Sequence, residues 1–176
     1  MNRVVVAGAT LAAVSLGAFG ALPAAAHPGH PATLAEIKSL NAKYANVRLA
    51  VANGYRPEGA CVSSPQGAMG IHYLNPRLVA SPAIVSRQPE ILLYVPRAGG
   101  GLRLVGVEYF KVDADQRLAT AFDRPRLFGR PFEGPMMGHG PGMPVHYDRH
   151  VWLYAPNPRG MFALYNPTLS CSRPAP

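Results

Sequence analysis

Leu102-Arg103-Leu104-Val105-Gly106-Val107-Glu108-Tyr109-Phe110-Lys111-Val112 sets the fold class of this chain. The run is rich in branched and aromatic residues, has no proline, and from Leu104 to Phe110 is apolar at odd and even positions alike. That is the pattern of a strand covered on both faces. Just upstream, Pro96-Arg97-Ala98-Gly99-Gly100-Gly101 supplies a glycine-rich turn and Glu90 to Val95 another apolar run, so the pair reads as a hairpin. Further out, Met69 to Leu74 is a strand candidate stopped by Asn75-Pro76. Val145 to Tyr154 is one ended by Pro156-Asn157-Pro158, and Met161 to Tyr165 one ended by Asn166-Pro167.

Helix is expected once, over 33–52. Thr33-Leu34-Ala35-Glu36 matches a capping box, and Leu34, Ile37, Leu40, Tyr44, Val47 and Val51 form a stripe at helical spacing before Asn53-Gly54. Five or more short strands beside one helix predict a mainly β chain, at the margin of α+β. Its form would be a curled antiparallel sheet or small barrel with one N-terminal amphipathic helix.

Residues 1–26 carry the three parts of an export signal. Arg3 is the positive end, Val4 to Leu22 the apolar stretch, and Ala24-Ala25-Ala26 the cleavage site. The expected organisation is thus signal peptide 1–26, tail 27–32 and a single domain over 33–176, secreted or periplasmic. No later segment is apolar for long enough to span a membrane. Of 19 prolines and 18 glycines, 18 and 15 fall after residue 26, a density that excludes a large helical bundle. In an oxidising compartment Cys61 and Cys171 read as one disulfide, with a metal pair or free thiols as the alternative. The net charge of +8 comes from scattered arginines, a pattern that suits anionic envelope polymers and gives no nucleic-acid-binding stripe.

Chemistry is expected around Glu108, a carboxylate in an apolar strand that needs a partner, a raised pKa or a bulge. An arginine partner makes it a structural pair; a histidine partner makes it a site. His146-Tyr147-Asp148-Arg149-His150 offers two histidines four residues apart. On a helix they can grip one ion. On a strand they share a face about 13 Å apart, with Asp148 between them. With His72, these residues give the candidate set His72, Glu108, His146 and His150. The segment 124–144 holds five prolines and five glycines, long enough to be either disordered or functional. Within it lies Met136-Met137-Gly138-His139, making Met136, Met137 and His139, together with Asp148, candidate outer ligands. Imidazole with carboxylate suits zinc and thioether beside imidazole suits copper, whereas methionines that merely plug a hydrophobic seam would bind nothing.

The segments Met69-Gly70-Ile71-His72-Tyr73-Leu74-Asn75-Pro76, Leu104 to Phe110, and Gly142-Met143-Pro144-Val145-His146-Tyr147-Asp148-Arg149-His150-Val151-Trp152 resemble stretches of exported bacterial proteins with no assigned activity. The resemblance spans most of the chain from the helix to Cys171 and implies export without a mechanism. Cleavage after Ala26 would expose His27, which resembles the N-terminal histidine brace of copper polysaccharide monooxygenases in that one residue. Cupins match less well, because their His-x-His followed by a glutamate is absent.

The leading expectation is therefore an exported protein binding a transition metal or small ligand in a His/Glu-lined pocket. One alternative is an envelope module in which Tyr73, Tyr109, Tyr147, Trp152, Tyr154 and Tyr165 pack a barrel or bind a ligand. A metal-dependent hydrolase or oxygenase is the other.

Overall fold

The strands form a curled antiparallel half-barrel sheet, with strand outweighing helix by 35% to 16% among the described residues, so the chain is mainly β as expected. The computed structural model describes residues 32–140 and 142–172, which fall in one compact unit. The export signal over 1–26, His27 and His30 lie outside the described residues. The sheet consists of β1 (Arg56–Ser64), β2 (Gly67–Leu74), β3 (Ile91–Pro96), β4 (Leu102–Val112), β7 (Glu133–Met136) and β8 (His146–Val151), in the order β1-β2-β3-β4-β8-β7. A two-stranded hairpin, β5 (Arg126–Leu127) with β6 (Arg130–Pro131), stands apart from it.

Alternation along the strands sorts side chains onto two faces. Leu92, Tyr94, Val107, Tyr109, Tyr147 and Val151 pack with Ile37, Tyr44, Ala50 and Tyr55 from the N-terminal helical segment. Ile91, Leu93, Val95, Val105, Phe110 and Trp152 form a second cluster on the other face. A register shift lets Val105 and Gly106 together oppose Leu93, which keeps Leu104 on the helix side and Glu108 on the other. Glycine is required at 106, since a Cβ there would stand 2.8 Å from the Val151 carbonyl oxygen.

Several expectations need correction. The helix over 33–52 breaks into α1 (Leu34–Asn41), a 3-10 turn (Ala42–Ala45) and α2 (Val47–Ala52). The capping box at Thr33 forms as expected, but Asn46 is extended, and its side chain accepts from the Arg48 N–H to start a new helix. The break rotates the stripe, so Leu40 and Val51 are exposed while Asn41 and Ala50 are buried. No strand forms over 161–165. The Met161 carbonyl instead accepts from the Trp152 N–H, the Ala163 carbonyl from its indole N–H, and only Asn166 bridges back to Ala68. The strand expected from Val145 to Tyr154 is the shorter β8. The segment 124–144 is not a structureless loop, because β5, β6 and β7 lie within it and β7 forms the sheet edge. A four-residue helix, α3 (Pro76–Val79), is capped by Asn75.

Cys61 and Cys171 form the expected disulfide, 110 residues apart. A loop of that size contributes about 4–5 kcal/mol in the chain-entropy account.

Candidate metal centre

Glu108 resolves its sequence conflict by facing histidines rather than an arginine. β4 and β8 pair so that Glu108 lies opposite His150, and β2 presents His72 on the same face beyond β3. Strands two apart in a sheet are about 9.6 Å apart. The His72 and Glu108 side chains lean over β3 to close that distance to 3.2 Å between Nε2 and Oε2. His150 Nε2 lies 3.5 Å from the same oxygen. One ligand atom from each of His72, Glu108 and His150 falls within 4.8 Å of the others, close enough to share one ion. The two imidazoles stand nearly perpendicular, their centroids 6.1 Å apart.

Burial makes this convergence chemically informative. Glu108, Asp148 and His150 are buried and His72 is half-buried, yet Glu108 Oε2, Asp148 Oδ1 and both ring nitrogens of His150 lack a hydrogen-bond partner. Buried polar atoms are nearly always satisfied, so a cluster of orphans at one point fits a group that would complete it. Burial alone would raise the Glu108 carboxyl, but the facing imidazoles of His150 and His72 hold it down to about 2. Burial pushes His150 down to about 4 against the pull of Glu108. An anionic Glu108 and a neutral His150 are the forms in which those two residues ligate a metal. Burial pushes His72 down, but Glu108 and Glu58 together leave it raised on balance. Asp148, with Oδ1 3.9 Å from His150 Nδ1, is raised to about 8 by burial and by Glu108 and Glu133. It lies at the His150 ring nitrogen that does not face Glu108, beyond hydrogen-bond distance of it.

The remaining expected residues are distributed along the same cavity, of about 590 Å³. His146 does not join the convergent group, because 146–151 is strand throughout and four strand residues separate it from His150 by about 13 Å. It stacks on Phe110 at 4.6 Å, and its Nδ1 is 3.0 Å from the Pro144 carbonyl oxygen. Met136 and His139 line the cavity, His139 from an exposed position. Met137 is 62% exposed and does not line it. Met143, not singled out as a ligand in the sequence, does line the cavity. So does Glu58, which pairs with His72 from β1 and whose alternation with its neighbours carried no distinctive signal.

The aromatic residues mainly serve the core. Tyr73, Tyr109, Tyr147 and Tyr154 pack on the helix side and Trp152 in the second cluster, leaving Tyr165 alone of the six on the cavity wall. Among the described residues no helix is long and apolar enough to cross a membrane. No protein-family model, curated protein or solved structure matches the chain, so its chemistry rests on this geometry.

Proposed function

We propose that this protein binds a transition metal ion through His72, Glu108 and His150, in an extracytoplasmic compartment. The carrying observation is that one ligand atom each of His72, Glu108 and His150 lies within 4.8 Å of the others at the wall of a cavity, with Glu108 Oε2 and both His150 ring nitrogens buried and without a hydrogen-bond partner. Two imidazoles and a carboxylate suit zinc or copper(II). The Cys61–Cys171 disulfide supports an oxidising location, in line with the export signal read from the sequence.

Full-length protein purified without a His-tag and dialysed against Zn(II) should retain one equivalent by metal analysis. His150→Ala and Glu108→Gln should retain close to none. A wild-type stoichiometry near zero overturns the proposal.

A second reading follows from the cavity in front of the triad. Three protein ligands leave a coordination position for water or substrate, the arrangement used by metal-dependent hydrolases and oxygenases. Zinc-dependent turnover of ester or phosphoester probes, lost in Glu108→Gln, would move the protein from binder to enzyme.

A further inference from the structure

The same cavity wall holds a different set of donors. His146 is buried in β8, and the Pro144 carbonyl engages its Nδ1. This favours the tautomer that leaves the Nε2 lone pair for a ligand, the usual arrangement of a metal-binding histidine. The His139 ring stands edge-on to it with centroids 5.1 Å apart. Two imidazoles sharing one tetrahedral ion at the usual bond lengths place their centroids about 5 Å apart. Met143 Sδ accepts the His139 backbone N–H at 3.3 Å, which holds the sulfur beside that histidine and leaves it a second lone pair. Met136 lies opposite His146 in the β7–β8 register, and all four residues line the cavity.

The geometry points to a second metal site, made by His139, His146 and Met143 with Met136 beside them, that takes copper(I). Thioether with neutral imidazole is a soft donor set, and softness selects Cu(I) over zinc, calcium or magnesium. The set contains no carboxylate, in contrast to the triad near His150. His146 lies four strand residues, about 13 Å of β8, from His150 and is not among the ligand atoms that converge at the triad. Its position explains why a loop rich in glycine and proline carries methionines on its inner side. The described residues 137–140 and 142–144 bring His139 and Met143 to the cavity wall outside the strands, and the buried His146 supplies the rigid end.

This site does not depend on the triad, and the test separates them. Full-length protein loaded with Zn(II) is titrated under argon with Cu(I) held by a competing chelator, and sulfur ligation is read by X-ray absorption. Wild type should bind one Cu(I) equivalent with a sulfur neighbour. His150→Ala should lose zinc and keep the copper. His139→Ala and Met143→Leu lie on the loop rather than in the sheet, so the fold should survive them. Each should keep the zinc and lose at least about tenfold in Cu(I) affinity. Absence of Cu(I) binding by wild type overturns the site. Unchanged affinity and sulfur signal in Met143→Leu would show that the methionines only fill the seam.

Discussion

On the helix side of the sheet, the phenols of Tyr55, Tyr94 and Tyr109 each donate to a backbone carbonyl, those of Pro89, Tyr44 and Ser86 in turn. On the opposite face Glu108, Asp148 and His150 carry four buried polar atoms with no hydrogen-bond partner. Among the described residues, the helix side has one such atom, Arg149 Nε. Its guanidinium is nonetheless paired with Glu133 at 3.3 Å and lies near the Phe132 and Phe162 rings. Each unsatisfied buried group costs about 1–3 kcal/mol. The helix side therefore has its phenols satisfied, while the other face carries, beside its own apolar cluster, a local deficit that a bound ion would offset. The two faces share strands β2, β3, β4 and β8, so the difference arises from side-chain alternation alone.

The largest effect should come from damaging the helix-side face. Leu92 is fully buried between the sheet and the helical segment. Leu92→Ala should lower unfolding free energy by about 2–5 kcal/mol in urea titration and leave zinc stoichiometry unchanged in the folded protein. If zinc binding fell with stability, the two faces would not be separable.

Replacing the triad should do the reverse. His72→Phe, Glu108→Leu and His150→Phe together remove buried charge and orphaned donors. Apolar replacement of such groups is commonly neutral or stabilising, here by about 1–4 kcal/mol in metal-free protein, with zinc binding abolished. A strongly destabilised triple variant would mean that the triad is a structural network.

Glu90 gives the finest test. It is buried, its Oε2 accepts the Phe110 N–H, and burial raises its pKa from 4.5 to about 8. A carboxyl raised on folding binds more protons in the folded chain than in the unfolded one between those values. Its contribution is therefore complete below about pH 4.5 and is lost as pH rises toward about 8, by at most about 1.4 kcal/mol per pH unit. Glu90→Gln should flatten that slope in metal-free protein. An unchanged pH profile would assign the slope to other groups.

Much of this contrast is written locally. Glu108 stands out in Leu104-Val105-Gly106-Val107-Glu108-Tyr109-Phe110 because a carboxylate has no ordinary place in an apolar strand. The spacing of His146, Asp148 and His150 already puts them on one face if the segment is strand, which it is. The Thr33 capping box and the Cys61–Cys171 bridge were equally readable. The helical break at Asn46 was less so, because an asparagine cap competes with an apolar stripe that looks continuous. Met143 and Met137 could not be told apart by composition, since which one faces the cavity depends on the path of an irregular segment.

From the sequence by itself came the strand-rich class, the cross-link and the oddness of Glu108, because alternation, turn residues and cysteine pairing act over short range or through simple chemistry. Only the tertiary structure chose His72 and His150 over His146 as the partners of Glu108. His72 and His150 lie 36 and 42 residues from Glu108 along the chain, yet their ligand atoms come within 4.8 Å of its own. That meeting depends on strand order, on the register of three successive strand pairs and on the curl of the sheet. Those are set by the packing of the whole core, which no local pattern encodes.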